Sequence, residues 1–379
     1  MIPVIPRGFK DVLPQEARWR ESICNNVQKA LSLWGYAPIE TPTLEVLDVL
    51  KRGGQLAPTT FRLFDADGAL LVLRPDVTLP IARMTATRLA DAVGPLRFRY
   101  VQPVFREEES LRGQAREFTQ LGIESIGLGG ALADAEVVVL LAEALKAAGL
   151  KDFTLAICTV GVLRDLLDVC VRESGVGEQW RQAMLDACHA SNLVEVARLA
   201  RDARIDARYG EALSALPSIR GGKEAITACR ALVEPLRCLD GLDVLEQTWE
   251  LIEAAGVGEY VTVDFSVMSS FDYYTGLVIE AYAPGVGMLL GSGGRYDHTL
   301  EAYGKSAPAA GFALSLERIM QALLEQGIQA EPSFATAEPV VVSVETDEPA
   351  AAFRRAKELR GQGIPAVLGT GKAGERYDG

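Results

Sequence analysis

The chain has 379 residues, 49% of them hydrophobic and 23% charged, enough for two or three domains with buried cores and too apolar for a disordered chain. Its formal net charge of −13 argues against a polyanion held by bulk electrostatics, because affinity for phosphate backbones comes from Lys and Arg displacing counterions. Six cysteines without a CxxC pair and only two histidines, His189 and His298, argue against a disulfide framework or a zinc site, so no metal or cofactor is expected.

In chain order, Asp11 and Pro14 open a helix whose apolar stripe, Trp19, Ile23, Val27, Ala30, Leu31 and Trp34, runs until Gly35 ends it. "YAPIETPTLEV" reads as a β segment in which Pro42 suits an edge strand or an interface. "TFRLFD" and "ALLVLR" flank Asp67-Gly68 as a hairpin, and a helix follows from about Thr78 to Ala92. "LRFRYVQPVFRE" and "REFTQLGIESIG" are strands around a polar loop from Glu107 to Gln114. From about Val160 to Gly258 the composition turns to Ala, Leu, Arg and Glu in helical periods, which reads as an insertion. Strands resume with "YVTVDFSVM", "GLVIEAYA", "GMLLGSGGRYD" and "AGFALSL", followed by the helix "LERIMQALLEQG". After Pro339 there is length for one strand, one helix from about Glu348 to Leu359 and the strand "IPAVLG". So small a piece is expected to dock on the core or fray. No apolar run reaches the length of a bilayer span, and "MIPVIPRGFKDV" lacks a basic region followed by an apolar one, so a cytoplasmic protein without membrane contact is expected.

Strand alternation gives the sharpest local inference. In "EFTQLGIESIG" the residues Phe118, Gln120, Gly122, Glu124 and Ile126 share a face, so a glutamine and a glutamate point the same way across a gap that has room for a ligand. Tyr100, Gln102, Val104 and Arg106 share a face of the neighbouring strand, and Asp272, Tyr274 and Gly276 share one in a third. Each row alone is more often the wet face of an antiparallel sheet; three from distant segments favour a pocket. "GSGGRYDH" fails as a dinucleotide fingerprint because Tyr296 takes the third glycine position, and reads instead as a hairpin whose glycines admit a ligand to the backbone. "GTGKAG" lacks the Ser or Thr that a P-loop needs and reads as a surface loop.

The ordered blocks "LRPDVT", "FREEE", "REFTQLGIE", "FDYYTG", "GSGGRYD" and "AGFALSLERI" resemble histidyl-tRNA synthetase from residue 1 to about 325. The resemblance implies an α+β fold: a class II aminoacyl-tRNA synthetase antiparallel sheet flanked by helices. On that basis residues 1–160 and 259–328 form the core, 161–258 a mainly helical insertion, and 329–379 a short βαβ-like C-terminal remnant. It also implies that the first helix and "PIETPTLE" form a self-dimer. Asp76, Thr78 and Gln120 would hold the α-amino group of histidine, Arg106 its carboxylate or the phosphate of its activated form, and Glu124 with Tyr273 and Tyr274 its imidazole. Asp76 is shorter than the family's glutamate, and Ala115 replaces an aromatic wall.

The nucleotide half departs from the family. Ser269-Ser270 stand where the family has Arg-Gly, Gln114 stands where an arginine would meet the γ-phosphate, and Ser315 replaces a glycine where adenine would lie; Arg106, Glu108 and Arg318 remain. Losing one positioned arginine can cost about 10³ to 10⁵ in phosphoryl-transfer rate. A chain that keeps amino-acid recognition but loses activation, with a tail too short for an anticodon-binding domain, is similar to the regulatory subunits of the two-component ATP phosphoribosyltransferase. That likeness implies no catalysis, a short-form catalytic subunit as partner in a hetero-octamer, L-histidine as effector and no tRNA. The alternatives are a histidine-adenylating or tRNA-charging class II ligase, revealed by histidine-dependent ATP–pyrophosphate exchange, and an RNA-binding module, revealed by a tRNA mobility shift that survives moderate salt.

Overall fold

A computed structural model describes residues 5–54, 60–107, 115–190, 192–267, 274–329, 339–344 and 349–369. The first helix, α1 (Pro14–Leu33), begins at the expected proline and buries Ile23, Val27 and Leu31; Gly35, at φ +80°, lets the chain leave it. Trp34 falls outside the helix and is exposed. Two short strands follow, β1 (Ala37–Pro38) and β2 (Leu44–Val46), so Pro42 sits in the link between them rather than in a strand. Next come α2 (Leu47–Leu50), β3 (Arg62–Phe64), β4 (Leu70–Leu73) and α3 (Thr78–Arg88). The Asp67-Gly68 hairpin joins β3 to β4, and β2, β4 and β3 form a small antiparallel sheet. α3 stops at Arg88, short of Ala92, because Lys305 Nζ takes the carbonyls of Leu89 and Ala90 at 2.8 and 3.1 Å. A residue more than two hundred positions away sets that end.

The central strands are β5 (Leu96–Phe105) and β6 (Glu117–Ile126), followed by α4 (Gly130–Ala147) and β7 (Thr154–Thr159). The stretch that read as helical contains α5 (Val160–Ser174), α6 (Glu178–His189), α7 (Leu193–Asp202) and α8 (Ala207–Ala215). After the two-residue β8 (Arg220–Gly221) come α9 (Lys223–Val233) and α10 (Asp240–Ala254). β9 (Val261–Asp264), β10 (Leu277–Tyr282), β11 (Gly291–Arg295), β12 (Ala309–Ser315) and α11 (Leu316–Glu325) complete the larger unit.

Its nine-stranded sheet has the order β1-β5-β6-β12-β11-β10-β7-β9-β8. The pairing from β5 through β7 is antiparallel throughout, while β1 with β5 and β7 with β9 pair parallel. "GSGGRYD" is an interior strand of this sheet and not a turn. α4 packs on β11 and β12, α10 on β7, and α5 against β10. Arg295 reaches from β11 to α4, where its guanidinium lies 2.6 Å from Asp134 Oδ1, with Asp297 at 3.1 Å. Both Arg295 and Asp134 are buried, so removing one leaves an uncompensated charge. Asp134→Ala is therefore expected to cost about 3–5 kcal/mol in urea unfolding.

The second compact unit comprises Val12–Ser22 and Gln329–Gly379. Within it β13 (Val340–Ser343) and β14 (Ala366–Gly369) pair in parallel, joined by α12 (Pro349–Gly361). Val342, Ala352, Ala356, Leu359 and Ala366 form its small core. The strand, helix and strand expected after Pro339 are all present, whereas most of "GTGKAG" lies outside the described residues.

Candidate functional site

Register places the polar rows of the sheet side by side. Gln102 pairs with Gln120 and Gln120 with Ser315; Tyr100 pairs with Gly122 and Gly122 with Ala313; Phe98 pairs with Glu124, Glu124 with Gly311, and Gly311 with Gly294. Directly paired residues share a face, so these form three rungs on one side of the sheet, opposite the side on which Arg295 meets α4. Gly122, Gly311 and Gly294 have no side chains of their own there, and larger neighbours lie over them. A Cβ on Gly122 would come within 2.6 Å of the Tyr100 ring, one on Gly294 within 2.7 Å of the Tyr274 ring, and one on Gly311 would strike the Glu124 carboxylate. The gap expected at Gly122 is thus not open space, because the Tyr100 ring fills it.

Glu124 lies at the centre, 1% exposed. Thr78, the first residue of α3, donates its hydroxyl to Oε1 at 2.7 Å, and Tyr296 donates to Oε2. Burial pushes the Glu124 carboxyl up to about 8; the hydrogen bonds from Tyr296 and Thr78 oppose the rise, and the nearby Asp76 adds to it. Asp76 is raised as well, again by burial, although Oδ1 accepts the Leu79 amide at 2.9 Å and Arg106 stands close. Arg106 donates Nε to Pro75 O at 2.9 Å, with its guanidinium 5.2 Å from the Phe118 ring. Gln120 is buried, and its Oε1 has no hydrogen-bond partner among the described residues. A buried acceptor left unpaired costs about 1–3 kcal/mol, which a donor on a ligand would recover.

Of the residues expected here, Asp76, Thr78, Glu124 and Tyr274 gather around Tyr100, whose hydroxyl ionisation is pushed well above its ordinary value by burial and by the charges of Glu124 and Asp76. Arg106 stands beside Asp76, and Gln120 lies two residues before Glu124's neighbour Gly122 on the same face of β6. Tyr274 is buried but precedes β10, which starts at Leu277, so it belongs to the entry segment rather than to a regular strand row. Gln102 shares the face but is bound into the fold, donating to Ile39 O and accepting from Thr41 and Arg74. Tyr273, with Glu108, Gln114, Ser269, Ser270 and Asp272, lies outside the described residues. Tyr296 was missed. Its position two residues beyond Gly294 puts it on the Glu124 face, a signal that strand alternation carries.

In the other half of the cleft, Ser315 Oγ accepts the Arg318 amide at 3.4 Å and donates to Glu317 at 3.3 Å, so it caps α11. Arg318 donates Nη1 to Leu289 O at 2.8 Å. Among the described residues the site therefore offers acceptors, Gln120 Oε1, the buried Glu124 carboxyl and the half-buried Asp76 carboxyl, with the Arg106 guanidinium beside them. That set matches a small zwitterion carrying a further N–H donor.

The family model described as histidyl-tRNA synthetase matches residues 8–319. An ATP phosphoribosyltransferase regulatory subunit from Moorella thermoacetica is 36% identical over 96% of this chain and 91% of its own length. The crystal structure of an ATP phosphoribosyltransferase regulatory subunit/histidyl-tRNA synthetase from Bacillus halodurans is 33% identical and superposes with a TM-score of 0.85, covering 97% of this chain and 93% of that one. The histidyl-tRNA synthetase of Nostoc, 22% identical with a TM-score of 0.76, covers 97% of this chain and 86% of its own and shares the fold. The chain belongs to the histidyl-tRNA synthetase-like family, in the branch of the ATP phosphoribosyltransferase regulatory subunits.

Proposed function

We propose that the chain is the histidine-sensing, non-catalytic subunit of ATP phosphoribosyltransferase, required for the first step of histidine biosynthesis. Its likeness to relatives of that name over nearly its whole length supports the role. The unpaired Gln120 acceptor beside the buried Glu124 carboxyl, the half-buried Asp76 and Arg106 is the observation that carries the ligand assignment. The ammonium of free L-histidine takes Gln120 Oε1, Thr78 and Asp76, its carboxylate takes Arg106, and its ring N–H takes Glu124, with Tyr296 and Tyr274 around the imidazole. No bond is made or broken by this chain. Feedback needs only that histidine favour one arrangement of the complex over another, and typical coupling of about 1–3 kcal/mol changes a partner's ligand affinity 5- to 150-fold.

The partner is a short-form catalytic subunit, four copies with four of this chain as dimers, in the cytoplasm. Among the described residues no helix is long and apolar enough to cross a membrane. Leu44, exposed in the "PIETPTLE" segment, and Val46, exposed just after it, are apolar surface of the kind a self-dimer covers. The test mixes this chain with the catalytic subunit and follows phosphoribosyl transfer as histidine rises. Transfer should need this chain and fall with histidine; transfer indifferent to the chain contradicts the assignment. A histidine-activating ligase is the second reading, favoured by the name of the matching family model, and a healthy histidine-dependent ATP–pyrophosphate exchange would establish it.

A further inference from the structure

Three consecutive carbonyls that carry Tyr274 into the cleft all end on α5. Tyr274 O accepts from Arg164 Nη2 at 2.8 Å, Thr275 O from Arg164 Nη1 at 3.2 Å, and Gly276 O from the Val160 amide at 3.0 Å. On the other side the Thr275 amide donates to Arg295 O at 2.7 Å, and Thr275 Oγ1 accepts the Asp297 amide at 3.1 Å. The segment is thus held between α5 and β11, with the Tyr274 ring seated on Gly294. A planar guanidinium that spans two successive carbonyls fixes their spacing in a way an ammonium cannot reproduce.

The α5 end of this clamp is not tightly packed all round. A cavity of about 250 Å³ adjoins it, lined by Thr159, Gly161, Gly241, Thr275, Gly276 and Arg295 among others. Gly161 and Gly241 let α5 and α10 touch backbone to backbone, for a Cβ on Gly161 would come within 2.8 Å of Gly241 Cα. Further along α5, Asp168 pairs with Arg181 of α6 at 3.3 Å. A shift of Tyr274 by a ligand therefore has a hydrogen-bonded route into α5, and α5 has free volume beside it.

Resting on the histidine-site reading, we propose that Arg164 is a positioning residue that sets Tyr274 for the amino acid and transmits occupancy of the site to α5. Its loss should be felt in histidine affinity, and the filled site should be felt in α5. The experiment measures L-histidine binding by calorimetry for the full chain and for Arg164→Met and Arg164→Lys, together with hydrogen exchange of the α5 amides with and without saturating histidine. Arg164→Met is expected to bind about tenfold more weakly, about 1.4 kcal/mol, because Tyr274 is no longer held in place before the ligand arrives, and Arg164→Lys to fall between. Histidine should slow exchange in α5 of the natural chain and do so less in Arg164→Met. A purely structural arginine would lower thermal stability without moving the affinity of the folded protein or the exchange response. Unchanged affinity in a folded Arg164→Met, or α5 exchange blind to histidine in the natural chain, overturns the coupling alone. Failure of the natural chain to bind histidine overturns the site reading and this inference with it.

Discussion

Glu124→Gln is expected to weaken L-histidine binding about tenfold, close to 1.4 kcal/mol, measured by calorimetry at pH 8.5, where most of the Glu124 carboxyl is ionised. The physical basis is the difference between a charged and a neutral acceptor. A hydrogen bond to an ionised group contributes about 1.5–3 kcal/mol against about 1 for a neutral pair, and the Glu124 site excludes water that could otherwise substitute. Gln keeps the shape of the side chain, so the loss reports charge rather than packing. Thr78 and Tyr296 already hold both carboxylate oxygens in place, which means the ligand meets an acceptor whose orientation is settled before binding. An affinity within threefold of the natural chain would show that the ring of the amino acid does not meet Glu124.

The same substitution is expected to stabilise the ligand-free protein at alkaline pH. In the unfolded chain a Glu ionises near about 4.3, whereas in the fold Glu124 is pushed up to about 8, mainly by burial. Between those values the native state binds more protons than the unfolded state, so stability falls as pH rises, by up to about 1.4 kcal/mol per pH unit from this group, and levels off above 8. Gln has no proton to lose. Urea unfolding from pH 6 to 9 should therefore give a flatter profile for Glu124→Gln, with the variant about 2–4 kcal/mol more stable than the natural chain at pH 8.5. Saturating histidine should recover much of that difference in the natural chain, because a ligand that binds only the folded state adds to its stability. A buried carboxyl that weakens the empty protein and strengthens the loaded one is a cost that binding explains. A variant less stable than the natural chain at pH 8.5 would contradict this.

Much of this was legible in the sequence because it depends on local rules. Pro14 and Gly35 mark the ends of α1 and its exit, the hairpin at Asp67-Gly68 follows from turn chemistry, and period-two alternation puts Gln120 and Glu124 on one face of β6. What alternation cannot say is which large side chain leans over a glycine. Gly122 marked the right place, but the Tyr100 ring from the adjacent strand occupies it. The end of α3 depends on Lys305, and the placing of Tyr274 before β10 depends on Arg164 and Arg295; both are tertiary contacts with no local pattern. Tyr296 was visible on the same face as Gly294 once "GSGGRYD" is treated as a strand.

The most direct measurement is calorimetric titration of L-histidine into the purified chain, without and with magnesium ATP. The account predicts saturable binding at a single site per chain, weakened by Glu124→Gln and indifferent to the nucleotide. No binding, or binding that appears only with ATP and is followed by its turnover, would contradict it.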